Sequence, residues 1–359
     1  MMLPARLWVW TFAACYAIVG ILLCVTLATT PTYGDLTRLG RLSERSFGWR
    51  ASQPAIDPNL LRSWPLSQAD IVVLGDSFSL AFKRQRVPVQ LVWQSQLVKA
   101  GYRVATLHWA ETGPLCEDLP RWLIALGFRG KIVLIESAER DLDGHVNKAA
   151  GCAMTTTKLQ PSSYTRPPPP AFPPPATMNW GQSITTGVMT GWNTTRVEQS
   201  ATDVVLSQSG STDAVRVHQL ERGCDFFSHA ACTKALFFDG DTQSRALDVE
   251  TVGRIRDITK RYPTLQVAWI VMPNKTSIYR LPHQSDDAAR MLDATGIGPN
   301  LFKALAAERL QQVDLYAPND THLSARGSLF VGQQVVDWLS RRNTSAPGAR
   351  RTWEASAAK

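Results

Sequence analysis

The stretch Ile71-Val72-Val73-Leu74-Gly75-Asp76-Ser77-Phe78-Ser79 decides the reading of this chain. Four consecutive apolar residues, three of them β-branched, predict a strand buried on both faces, as in a parallel sheet. Ligand sites in open α/β sheets lie at the carboxyl ends of the strands. Ser77 falls at such an end, where a nucleophile is expected. A helix is expected to follow, and its free N–H groups would stabilise an oxyanion. Asp76 is expected to hold the turn by hydrogen bonds or to belong to the site.

A serine nucleophile needs a base. Near the other end of the chain stands Val313-Asp314-Leu315-Tyr316-Ala317-Pro318-Asn319-Asp320-Thr321-His322-Leu323-Ser324. His322 can take the Ser77 proton. Asp320, two residues earlier, can fix the tautomer and stabilise the imidazolium. Taken alone, Gly-Asp-Ser occurs in many loops and Asp-x-His in many turns. Their placement at strand ends on either side of one α/β pattern points to catalysis. His108, also at a strand end, is the rival base. His145, His218, His229 and His283 have no partner pattern that singles them out.

Between these two blocks the pattern alternates. Residues 88–100 are predicted helical, Arg103–Trp109 a second strand, 117–127 a helix and Lys131–Ile135 a third strand. Strand, helix, strand, helix, strand predicts a doubly wound parallel sheet. Residues 158–178 (KLQPSSYTRPPPPAFPPPATM) favour polyproline II over a packed element. They open an insertion, about 153–245, that reads as a lid, a binding arm or a plain linker. Within it Trp180 and Trp192 would suit stacking on sugar rings, although packing is the commoner fate of tryptophan. Ala214–Leu220, Lys234–Phe238 and Leu265–Met272 are predicted strands. Residues 247–262, 299–311 and 325–341 are predicted helices.

The N-terminal region sets the location. Leu7 to Ala28 contains no charged residue and would span about 33 Å as a helix, enough for a bilayer. The run is too long for a signal-peptide core, and Thr26-Leu27-Ala28 is a poor cleavage site, so residues 1–30 read as an uncleaved anchor. Arg6 favours the N-terminus inside, whereas Arg38, Arg41, Arg45 and Arg50 oppose it. Residues 31–67 read as a juxtamembrane stalk, 68–345 as the catalytic domain and 346–359 as a basic tail. The formal charge of +8 is accompanied by no nucleic-acid motif, so no nucleic-acid partner is expected. Cys15 and Cys24 lie inside the apolar run as small fillers. Cys116, Cys152, Cys224 and Cys232 allow three pairings outside the cytoplasm. Cys224 with Cys232 is preferred, leaving Cys116 with Cys152. No Cys/His spacing indicates zinc, and neither a metal nor a cofactor is expected.

With these residues in view, the chain resembles the alginate O-acetyltransferase-like (AlgX/AlgJ-related) branch of the SGNH, or GDSL, hydrolase superfamily. The matching pieces are VVLGDSFS, IESAERDL, VMPNKTSIY and VDLYAPNDTHLSARG, spread over residues 71 to 327. The resemblance implies an SGNH-type fold with Ser77, His322 and Asp320 as the triad. It also implies a periplasmic domain on an inner-membrane anchor, a membrane-bound O-acyltransferase partner supplying acyl groups, and a polysaccharide acceptor. Three features depart from the pattern. The Asp-x-His block follows the serine, Leu323 stands where an aromatic residue often follows the histidine, and Glu139-Arg140 replaces a Gly-x-Asn-Asp block. The oxyanion hole then falls to the Ser77 N–H and Gly113, with Arg140 assisting. Glu139 and Arg140 read equally as a structural ion pair at the rim. Lys275 reads as a solvated lysine or as a contact to an anionic sugar. The function expected is O-acylation, most simply O-acetylation, of an exopolysaccharide. The alternatives are a carbohydrate esterase with the same triad and a non-catalytic glycan-binding scaffold.

Overall fold

The computed structural model describes residues 5–28, 32–80, 92–109, 115–116, 118–149, 164–165, 183–208, 210–243 and 246–345. Gly113, Cys152 and the proline-rich run 166–178 lie outside them. The chain forms two compact units. One comprises Gln53–Ala171, Gly240–Tyr316 and His322–Lys359; the other comprises Met1–Ser52, Phe172–Asp239 and Ala317–Thr321.

The first unit is mixed α/β. Strands β1 (Arg62–Ser63), β2 (Ile71–Gly75), β3 (Val104–His108), β4 (Ile132–Ala138) and β5 (Tyr164–Thr165) belong to it. A late strand, Gln266–Met272, completes its four-stranded sheet, in which the late strand lies beside β4 and the order from the other edge is β3-β2-β4. All three pairings are parallel. The short β1 pairs antiparallel with β5. Every residue of β2 is buried, which is why its sequence shows no alternation. Val72, Leu74, Leu107, Val133, Ile135, Val267 and Trp269 form a core with Leu119, Trp122 and Leu123 of the helix Leu119–Ala125. Val252, Ile255 and Ile258 of the helix Val249–Lys260 join the same core. That helix starts where Asp248 accepts the Thr251 N–H (2.7 Å) and ends with Lys260 in its last turn, so both termini are matched to the dipole.

From β2 the chain moves to β3 on one side and then returns to β4 on the other. The crevice between the carboxyl ends of β2 and β4 is therefore the point where strand order reverses, the usual place for a ligand in such sheets. Ser77 follows β2 there, and Glu139 follows β4.

In the second unit β6 (Val204–Ser207), β7 (Ala214–Gln219) and β8 (Lys234–Phe238) form an antiparallel sheet in the order β6-β7-β8. Its core includes Val204, Leu206, Val215, Val217 and Leu236, with Leu36, Leu42 and Phe47 from the N-terminal region. The stretch expected as a stalk is thus packed. Residues 32–52 carry the helices Asp35–Gly40 and Glu44–Phe47, and Leu36, Leu42 and Phe47 are fully buried. Helices of six and four residues are too brief to register as periodicity. The helix Ala5–Ala28 is long and apolar enough to cross a membrane.

Cys224 and Cys232 are joined by a disulfide. Cys116 is also disulfide-bonded. Cys15 and Cys24 are free. Closing a loop of this size is worth about 2–3 kcal/mol. Cys224→Ser with Cys232→Ser is therefore expected to lower stability by that amount in urea unfolding; a change under about 0.5 kcal/mol would contradict it.

Candidate active site

Ser77 Oγ and His322 Nε2 are 2.8 Å apart, although 245 residues separate them in sequence. The described hydrogen bond of the Ser77 side chain is to His322. His108 ends β3, where it registers with Gly75. The His322 imidazole packs on Phe78, with ring centroids 4.8 Å apart. Its loop is held by the Ser324 N–H to the Leu315 carbonyl (2.9 Å) and by a bridge between Tyr316 and Leu323. Tyr316 Oη donates to the Pro273 carbonyl, tying that loop to the segment after the late strand.

Ser77 sits in a tight turn. The N–H groups of Ser79 and Leu80 both donate to the Asp76 carbonyl at 3.0 Å. Asp76 Oδ1 accepts the Phe78 N–H (2.9 Å) and Oδ2 accepts the Ala138 N–H (2.6 Å). Asp76 therefore fastens the turn to the end of β4, the hydrogen-bonding role considered for it from sequence. Among the described residues the Ser77 N–H makes no hydrogen bond, which leaves it available to a developing oxyanion.

Glu136, on β4, is the residue that sequence reasoning missed. Its Oε2 accepts the Ser79 hydroxyl (2.7 Å) and the Asp76 N–H (3.0 Å). The other carboxyl oxygen, Oε1, is buried without a hydrogen-bond partner among the described residues. Gly75 makes this approach possible, because a Cβ there would stand 2.4 Å from Ser79 Oγ and 2.8 Å from Glu136 Oε2. Complete burial, and then the neighbouring Asp76 charge, push the Glu136 carboxyl well above the ordinary range. A raised native pKa contributes stability that is full below the unfolded value and is lost as pH rises through the native value. Glu136→Gln removes this dependence. The melting temperature of the variant relative to wild type is expected to become more favourable as pH rises above the usual glutamate range. Parallel curves for the two proteins would refute it.

Glu139 and Arg140 do not form an ion pair with each other. Glu139 Oε2 accepts the Asn274 N–H (2.9 Å) and the Ser277 hydroxyl (2.6 Å). Its Oε1 accepts the Ser285 hydroxyl (2.8 Å) and the Leu247 N–H (3.2 Å). It is buried at 2 % exposure, so it is a structural hub and not a rim residue. Arg140 pairs with Asp241 (3.0 Å) and more loosely with Asp141 (3.6 Å). Its guanidinium lies 6.0 Å above the Phe78 ring. The cation thus reaches the residue beside Ser77, with part of its charge answered by Asp241. Burial raises the Asp241 carboxyl, against the pull of Arg140.

Lys275 is buried, at 1 % exposure in the helix Lys275–Tyr279, which corrects the expectation of a solvated side chain. The residue before it, Asn274, is bound to Glu139, and this draws the chain inward at that point. His145, which had no visible partner in sequence, lies 2.9 Å from Ser137 Oγ through Nδ1 and stacks on Trp109 at 4.3 Å. Burial lowers its pKa, against the pull of Asp76 and Asp141. Gly113, the second oxyanion candidate, falls outside the described residues.

Asp320 belongs to a different local structure. Its Oδ2 accepts the Asp35 N–H (3.0 Å), while the Leu36 N–H donates to the Asn319 carbonyl (3.1 Å). Asp35 in turn accepts the Thr321 N–H (2.8 Å). Gly34, at the N-cap of the helix Asp35–Gly40, provides no side-chain cap. Residues 319–320 supply it instead. Glu44 completes the clamp, accepting the Tyr33 N–H (2.7 Å) and Asn319 Nδ2 (2.8 Å). Burial pushes the Glu44 carboxyl up, against these four donors including Gly34 N–H and Thr37. One oxygen of Asp320 is therefore committed to a helix terminus, a task nothing in the Asp-x-His pattern reveals.

Comparison of the chain with protein-family models, with curated proteins and with solved structures finds no match.

Proposed function

We propose that this chain is a membrane-anchored serine O-acyltransferase, most simply an O-acetyltransferase, that modifies an exopolysaccharide. The observation that carries the reading is the 2.8 Å contact between Ser77 Oγ and His322 Nε2 at the carboxyl end of β2. A serine hydroxyl is a weak nucleophile until an adjacent base takes its proton. In this reading His322 accepts the Ser77 proton as Oγ attacks the donor's acyl carbonyl. The leaving group departs with that proton, and Ser77 carries the acyl ester. A sugar hydroxyl then gives its proton to His322, attacks the ester and takes the acyl group, returning the proton to Ser77. Asp320 steadies the imidazolium, and the Ser77 N–H, unbonded among the described residues, is the donor offered to the developing oxyanion.

The SGNH-like fold, the periplasmic location and the supply of acyl groups by a membrane-bound O-acyltransferase belong to the same proposal. They are supported by the Gly-Asp-Ser and Asp-x-His blocks, the apolar helix Ala5–Ala28 and the Cys224–Cys232 disulfide, which suits an oxidising compartment. The reading is tested by supplying an activated acetyl ester with and without oligosaccharide. Intact mass is expected to show an adduct of about 42 Da on Ser77, and the acetyl group is expected to move to the sugar. Release as acetate alone, whatever sugar is present, would identify an esterase. No adduct and no turnover, with tight polysaccharide binding, would favour a scaffold.

A further inference from the structure

We infer that the helix Ile184–Gln199 is a second membrane contact, lying in the lipid interface beside the anchor; this rests on the anchor reading above. The sequence does not show it, because the helix ITTGVMTGWNTTRVEQ is rich in threonine and glycine and has little overall amphipathic contrast. The structure separates its faces. Gly187, Thr190, Thr194 and Val197 are buried. Ile184, Val188 and Trp192 recur at four-residue spacing on the other face, with Met189 beside them. Trp192 is 69 % exposed, Met189 39 % and Ile184 36 %. Such a stripe is costly in water and needs a cover.

The anchor helix identifies the cover. Its last turns pack on the first turns of Ile184–Gln199. Thr26 Oγ1 lies 3.4 Å from the Ile184 carbonyl, and a Cβ on Gly187 would come within 2.6 Å of Thr26 Oγ1. Thr26 is two residues from the end of the span Ala5–Ala28. With that span in a bilayer, Ile184 and Gly187 stand at the level where hydrocarbon gives way to headgroups. Tryptophan and medium apolar side chains favour that level.

Charge agrees. Asn193 Nδ2 donates to the Gly40 carbonyl (2.9 Å), placing the helix against the segment that carries Arg38, Arg41, Arg45 and Arg50. Arg38, Arg45 and Arg50 are exposed and Arg41 half-buried. The acidic members of that segment turn inward: Glu44 is bonded to Thr37, Tyr33, Gly34 and Asn319, and Asp35 to Thr321. The outward charge of that segment is basic, which suits anionic headgroups, and on the helix itself the exposed Glu198 is offset by the exposed Arg196.

The test uses the full chain in vesicles of phosphatidylcholine, with and without phosphatidylglycerol. The vesicles are doped with a phosphatidylcholine bearing a diazirine on its acyl chain. After irradiation the adducts are mapped by peptide mass. Adducts are expected in Ala5–Ala28 and in Ile184–Gln199, the latter increasing with phosphatidylglycerol. The variant I184S/M189S/W192S changes only outward-facing side chains. It is expected to lose the adducts in Ile184–Gln199 and keep those in Ala5–Ala28. Adducts confined to Ala5–Ala28 in wild type would overturn the inference and leave the anchor reading intact. Adducts in neither segment would overturn both.

Discussion

Ser77→Ala is expected to reduce acyl transfer by about 10³- to 10⁶-fold, with the acetyl adduct lost altogether. His322→Ala should cost nearly as much. The double variant should be no worse than the poorer single one, because the two groups act as a unit and removing either already disables the proton transfer. Ser77 is only partly buried, and among the described residues its side chain is bonded to His322. The serine variant should therefore fold normally, with unchanged unfolding in urea. The check is acyl transfer and intact mass for the two single variants and the double. Losses that multiply, or a Ser77→Ala protein that still carries the adduct, would mean that another residue bears the acyl group.

Glu139→Ala is expected to destabilise the α/β unit by on the order of 3–5 kcal/mol. No cavity argument is needed for this. The glutamate answers four donors from three places in the chain: Leu247, the Asn274–Ser277 turn and Ser285. Removing it leaves the Leu247 and Asn274 N–H groups and two hydroxyls without their acceptor in a site closed to water. Glu139→Gln should fall between, since one carbonyl oxygen can still accept while the NH₂ faces donors. Urea unfolding of the three proteins decides it, and a loss below about 1 kcal/mol for alanine would show that the site refills with water.

The parallel sheet was legible because its strands are buried on both faces. IVVLG, VATLH and QVAWIVM stand out as apolar runs, and each lies within a residue or two of its expected place. The helix Val249–Lys260 was legible from its 3.6-residue pattern and basic end. What escaped were elements whose stability comes from contacts rather than pattern. The helix Ile184–Gln199 buries glycine and threonine, which carry no hydrophobic signal. The helix Asp35–Gly40 takes its cap from Asn319 and Asp320, almost three hundred residues away in sequence. In the site, Ser77 and His322 were readable as residue types that do chemistry. Glu136 was not, since a glutamate inside the run IVLIESA looks like the end of a strand and not like a buried carboxyl bonded to the turn that carries Ser77. Glu139 and Arg140 illustrate the opposite error. Adjacent opposite charges suggest a pair, yet the two side chains leave the backbone toward different partners.

If Ser77 and His322 act as the proposed nucleophile and base, the distance between them along the chain has a consequence for biosynthesis. When Ser77 emerges from the ribosome, the residue that must activate it has still to be made, together with the 244 residues between them. Contacts this remote in sequence form late, after local helices and nearby strand pairs. The nascent chain is thus born inert, carrying an ordinary alcohol through synthesis and any passage across a membrane. On that reading the serine becomes reactive only when the segment bearing His322 has folded back to the end of the first strand of the sheet.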